Sequence, residues 1–122
     1  MPTKTALSAE EMKALVKRNL QIWNDGNLEM LEELFAPDYK HADGRNKATL
    51  KQGIEATRHA YPDLHVTVDD QMVDGDKVVT RWTAHSTDKK VVNTGIGIDR
   101  IVNGKIVESW GSSEEPGMFR QF

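Results

Sequence analysis

The run Gly95-Ile96-Gly97-Ile98-Asp99-Arg100-Ile101-Val102-Asn103-Gly104-Lys105-Ile106-Val107-Glu108-Ser109-Trp110 constrains the fold of this chain more than any other. Asn-Gly supplies the two residues that most readily take positive φ in the tight turn between paired strands, so the run predicts a β-hairpin turning at Asn103-Gly104. Successive strand side chains point to opposite sides of a sheet. Asn93, Gly95, Gly97 and Asp99 therefore share one small, polar face, and Val92, Ile96, Ile98 and Val102 share the other, with Thr94 and Arg100. A lone hairpin is marginal in water, so both faces need cover. The small polar face reads as a pocket wall and the apolar face as a packing or dimer surface, with the reverse left open.

The remaining elements follow from periodicity. Ser8-Ala9-Glu10-Glu11 is a capping box, and Met12, Leu15, Val16, Leu20 and Trp23 follow at helical spacing until Asn24-Asp25-Gly26-Asn27 breaks the pattern. A second helix is predicted from about Leu28 through Phe35, ending before Ala36-Pro37-Asp38. Tyr39-Lys40-His41 reads as a short strand and Asp43-Gly44-Arg45-Asn46 as a turn. Leu50, Ile54, Thr57 and Tyr61 mark a third helix that Pro62 ends. From Leu64 the period changes to two: Leu64, Val66, Val68 and Met72 alternate with polar residues, and Val78, Thr80, Trp82 and Ala84 form the next strand after the Asp74-Gly75-Asp76 turn. This order predicts an α+β fold, a curved antiparallel sheet wrapped around three N-terminal helices.

A length of 122 residues predicts one domain, 1–122, with a real core. The net charge of −3, with scattered basic residues, offers no field to recruit nucleic acid or an anionic membrane surface. No cysteine is present, which excludes a disulfide framework, a thiol nucleophile and Cys-ligated metal. Met1-Pro2-Thr3-Lys4 leads into no apolar run of signal-peptide length, and a cytoplasmic location is expected.

Several blocks carry a resemblance: Ile22-Trp23-Asn24-Asp25-Gly26-Asn27, Phe35-Ala36-Pro37-Asp38-Tyr39, Tyr61-Pro62-Asp63-Leu64, Gly75-Asp76-Lys77-Val78-Val79, Arg81-Trp82, Arg100-Ile101-Val102-Asn103-Gly104-Lys105-Ile106-Val107-Glu108 and Gly117-Met118-Phe119-Arg120-Gln121. Together and in this order, the chain resembles the SnoaL-like polyketide cyclase family, within the nuclear-transport-factor-like group of cone-shaped α+β barrels. The resemblance implies a cofactor-independent cyclase, isomerase or lyase-like enzyme that moves protons on a polyketide- or terpenoid-like substrate by means of an inward carboxylate and often a histidine. In this chain the family's carboxylate position falls on Gly111 and its inward His or Asp position on Gly97. The loop after Arg81-Trp82, longer in typical relatives, is reduced to His85-Ser86-Thr87-Asp88-Lys89-Lys90.

With both carriers replaced by glycine, Asp99 becomes the first candidate base, because it shares strand parity with Gly97 and would sit in an apolar cavity that raises its pKa. A solvated strand-end Asp, or an ion-pair partner of a nearby Arg or Lys, is the alternative. His41, on one face with Tyr39, is the candidate proton carrier. Trp23, Tyr39, Tyr61, Met72 and Trp82 are expected as pocket walls, with Gly97 and Gly111 leaving room for an apolar ligand. His59, His65 and His85 read as solvated or interfacial, and no histidine pair has the spacing of a metal site. Trp110 and Ile106 are assigned to the outer sheet face, where an apolar patch would favour a homodimer. Two further readings stay open: a ligand-binding module that has lost catalysis, and a stabilised dimeric scaffold with a filled interior.

Overall fold

The computed structural model describes residues 7–86 and 91–114. Helix α1 spans Ala9–Asp25 and begins as its capping box dictates, Ser8 Oγ accepting from the Glu11 amide at 3.1 Å and Glu11 Oε1 from the Ser8 amide at 2.8 Å. It stops at Gly26, whose φ of 72° only glycine adopts at little cost. The guanidinium of Arg58 then meets the helix end, donating to the Trp23 and Asn24 carbonyls at 2.9 and 2.6 Å. A cation there satisfies carbonyls that lack an intrahelical partner and faces the negative end of the helix dipole.

Helix α2 is the short segment Met30–Leu34, and strand β1, Phe35–His41, follows it directly. The predicted second helix is thus shorter than its apolar spacing implied, because Phe35 already takes extended dihedrals. Helix α3 spans Lys47–Ala60 and opens on a reciprocal Asn46 and Thr49 box, so the last residue of the expected turn serves as its cap. Strands β2 (His65–Asp74), β3 (Lys77–His85), β4 (Val91–Val102) and β5 (Lys105–Ser113) complete the chain. The hairpin turns where expected, with Asn103 at φ 53° and Gly104 at φ 77°.

The strand order is β1-β5-β4-β3-β2, in an open sheet. Four strands form an antiparallel meander, while β1 joins β5 in parallel, which makes the sheet mixed. Helix α1 packs on β2 and β3, α2 on β1 and β5, and α3 on β1. Their shared core gathers Val16, Trp23, Leu31, Phe35, Ile54, Val78 and Ile106. Burial of this stripe, more than helix propensity, holds the helices to the sheet.

Two irregularities in pairing decide which side chains look inward. In β2 the register slips between Val68 and Asp70, so Val66 and Val68 face the helices before the slip and Gln71 and Val73 after it. An extra residue reverses parity along a strand. Met72 is consequently 58% exposed, and its expected place in the pocket wall is corrected. In β5 the slip falls between the pairs Arg100↔Glu108 and Ile101↔Ile106. Ile106 therefore enters the core, against its expected outer position, while Ser109 still faces inward.

Asn24 ties α1 to the sheet. Its side-chain oxygen accepts from the Val66 amide at 2.6 Å and its nitrogen donates to the Val66 carbonyl at 3.0 Å, capping a strand that is at the edge of the sheet among the described residues. Asn24→Ala is expected to cost about 2 kcal/mol, because two backbone groups lose their partners in a partly buried place. Urea unfolding at neutral pH measures this, and a variant as stable as wild type would show that solvent replaces the tie.

Candidate active site

Asp99 lies on β4 directly opposite Ser109 on β5. Alternation along β4 is unbroken from Asn93 to Ile101, with Asn93, Asp99 and Ile101 buried and Ile96 exposed, so the carboxylate looks toward the helices as the parity argument requires. Its side is 8% exposed, and Ser109 Oγ donates to Oδ1 at 2.5 Å. The nearby cation is engaged elsewhere: Arg100 points to the opposite face and pairs with Glu108 at 2.9 Å and Asp76 at 3.8 Å. Among the described residues no cation pairs with Asp99, which removes the ion-pair alternative.

The environment decides the acidity. Burial without a counter-charge disfavours the ionised form and pushes Asp99 up to about 6, with the Ser109 hydrogen bond pulling weakly the other way. Tyr39, buried on β1, lines a hollow with Ser109, and burial raises its phenol above the ordinary value. Serine has one O–H to give. That proton goes to the ionised Asp99, and Tyr39 stands with this hydrogen-bonded pair on the wall of the same hollow.

The pair sits on the wall of this hollow between α1 and the sheet, lined by Trp23, Phe35, Tyr39, Leu50, Trp82 and Gly97 together with Val16, Asn19, Leu20, Thr80, Asp99, Ser109 and Trp110. The hollow contains about 460 Å³ of atom-free space counted out to its mouth, and about 40 Å³ for the centres of water-sized molecules. That is room for roughly three waters before anything moves. Two glycines on the inward face of β4 differ in kind. A Cβ on Gly95 would fall 2.5 Å from the Ser112 carbonyl oxygen and 2.6 Å from Trp82 Cζ2, so Gly95 permits close packing of the indole. A Cβ on Gly97 would meet only the Trp110 carbonyl oxygen, at 3.8 Å, so Gly97 leaves space.

The hollow thus brings together Asp99, Trp23, Tyr39, Trp82 and Gly97 from the expected set. Four others lie outside its lining. His41 is buried at the end of β1, where its Nδ1 accepts from the Asp43 amide at 3.3 Å and turns toward the Asp43 loop. Tyr61 ends α3, its amide donating to the Thr57 carbonyl, and packs on the flank of the core. Met72 is outside for the register reason given above. Gly111 pairs with Gly97 across the sheet yet lies at an exposed position of β5. Trp110, expected on the outer face, pairs there with Ile98 but borders the hollow through the carbonyl beside Gly97. Asn19, Thr80 and Ser109 were not anticipated. Asn19 had a visible signal: it is a polar residue at i+3 from Val16 and i−4 from Trp23, inside the apolar stripe of α1.

The SnoaL-like polyketide cyclase family model matches residues 13–122. The chain belongs to this family. Solved structures agree with it. A loop-truncation variant of IdmH is 28% identical, covers 90% of this chain and 98% of its own, and superposes with a TM-score of 0.77. Wild-type IdmH from Streptomyces antibioticus, a proposed polyketide cyclase, is 25% identical over 90% of this chain and 96% of its own, with a TM-score of 0.75. AclR from Streptomyces galilaeus, a proposed hydroxylase, is 26% identical over 93% of this chain and 82% of its own, with a TM-score of 0.77. Curated proteins offer no match. Neighbours with different named chemistries on one SnoaL-like fold mean that the reaction has to be argued from the site itself. Most of the shortened loop expected to distinguish this SnoaL-like chain, residues 87–90, lies outside the described residues. Among the described residues no cluster of three His, Asp or Glu gathers for a metal, and no helix is long and apolar enough to cross a membrane.

Proposed function

We propose that this SnoaL-like chain binds an apolar, ring-forming small molecule and moves a proton on it with Asp99 as general base. One observation carries the reading: a buried carboxylate with no counter-charge among the described residues, held by Ser109 on the wall of an aromatic hollow. A pKa near 6 leaves Asp99 mostly ionised at neutral pH yet basic enough to accept a proton from carbon. In the aldol-type cyclisation that the family name implies, Asp99 takes a proton from a carbon beside a carbonyl. The electron pair of that C–H bond forms the enolate, which attacks a second carbonyl of the same molecule. The new carbon–carbon bond leaves an alkoxide, and the proton returns to it from Asp99. Tyr39 stays neutral through this cycle, and the Ser109 hydrogen bond holds the carboxylate in one orientation.

β-Tetralone in deuterated buffer tests the reading, because its acidic methylene exchanges protons for deuterium visibly by proton NMR. The wild-type protein is expected to accelerate exchange, with a rate that climbs through about pH 6 and then levels as Asp99 ionises. Equal exchange in Asp99→Asn would discard Asp99 as the base. A binding module is the second reading, favoured by the open space beside Gly97, the position where the family resemblance implies an inward His or Asp. Saturable binding of β-tetralone without exchange selects it.

A further inference from the structure

We infer that Asn19 is a substrate-positioning residue, its amide oxygen receiving a hydrogen bond from a hydroxyl or enol of an otherwise apolar ring compound. The inference rests on reading the hollow as the ligand site. Among the described residues Asn19 Oδ1 is buried without a hydrogen-bond partner, and Asn19 lines the same hollow as Asp99. Folded chains satisfy almost every such atom, since leaving an amide oxygen bare is costly. Of the residues that line the hollow with it, Val16, Leu20 and Leu50 carry no side-chain donor. Nothing in the packing of α1 calls for an amide here; a leucine at this position would continue the stripe formed by Leu15, Val16, Leu20 and Trp23. An orphan acceptor kept at the expense of stability marks a position chosen for a guest molecule.

Two polar points then stand on otherwise apolar walls. Asn19 comes from the helix layer, and the Asp99 and Ser109 pair, with Tyr39 beside it in the lining, comes from the sheet. A ligand gripped at both has one orientation, which is how a few placed polar groups confer specificity in an apolar site. The ligand class these two points select is a fused-ring compound with a hydroxyl group toward Asn19 and an enolisable ketone toward Asp99, and the walls of the hollow must part to admit it.

The test compares naphthol with naphthalene, which share a ring system and differ in one donor, in a heteronuclear NMR titration read at the tryptophan indole N–H groups. Wild type is expected to bind naphthol about tenfold more tightly than naphthalene, as one hydrogen bond to a buried acceptor provides. Asn19→Leu is expected to erase that preference and leave naphthalene affinity within about a factor of two, while Asn19→Gln keeps part of it. The Asn19→Leu protein should also melt about 4 °C higher, because the bare acceptor is gone. A purely structural Asn19 would instead give a lower melting temperature with the preference intact, which overturns the assignment. Preference retained in Asn19→Leu overturns it while sparing the hollow as a ligand site. Failure of wild type to bind even naphthalene removes that site reading and this inference together.

Discussion

Asp99→Asn is expected to make the protein more stable at pH 8 and at least about a hundredfold slower in proton abstraction. The two effects share a cause. Asp99 titrates at about 6 in the folded chain and near the ordinary carboxylate value of 3.8 when unfolded, because burial penalises its charge more than Ser109 compensates. The folded state therefore binds the proton more tightly than the unfolded state. The sign follows: this group's contribution to stability is most favourable below about pH 4, declines as pH rises between about 4 and 6, and is flat above. The gap corresponds to about 3 kcal/mol of stability given up at pH 8. A neutral amide of the same shape keeps a bond to Ser109 and avoids the buried charge. Urea unfolding of both proteins at pH 5 and pH 8 separates the effect from other carboxylates, since only the difference between the two proteins is read. Parallel pH dependence in the pair would mean that Asp99 is solvated.

Gly95→Ala is expected to destabilise by about 3 kcal/mol, near the upper end of what overpacking costs, and to lower the melting temperature by about 10 °C. The added carbon would lie 2.5 Å from a main-chain oxygen of the neighbouring strand and 2.6 Å from the Trp82 ring. A flexible side chain would move aside, but the β4–β5 ladder and a buried indole do not. Trp82 is a wall of the hollow, so ligand affinity should fall with stability. Gly97→Ala is the matched control two residues along the same face. Its added carbon has ordinary clearance at 3.8 Å, so stability should stay within about 1 kcal/mol while the hollow shrinks. Thermal melts of the two variants suffice, and similar losses in both would refute the distinction between a packing glycine and a space-making one.

Much of this geometry was legible before any coordinates. The Asn103-Gly104 turn fixed the hairpin, and uninterrupted alternation along β4 put Asp99 on the side of Gly97. Trp23, Tyr39 and Trp82 were found because large amphipathic aromatics at core spacing converge where helices meet a sheet. Met72 and Ile106 were misplaced for one reason: a single extra residue in β2 and another in β5 invert parity, and neither Asp69 nor Val107 carries a glycine or turn signal that would announce it. Ser109 was overlooked because its partnership with Asp99 depends on register across the hairpin, which composition does not encode. His41 had the right face but the wrong depth. Parity says which side a residue looks to, and the turn that closes onto Asp43 decides how far along the strand the hollow extends.

The parallel pairing of β1 with β5 reaches further than the site. Phe35 finds its strand partner at Ile106, with every other strand lying between them in the chain, so an edge of the sheet stays unmatched until the final strand arrives. Such long-range closure slows folding. On a ribosome, the aromatic floor made by the first half would wait, exposed and in need of shielding, for the last strand to bring Ser109 and finish both the architecture and the acid's binding partner.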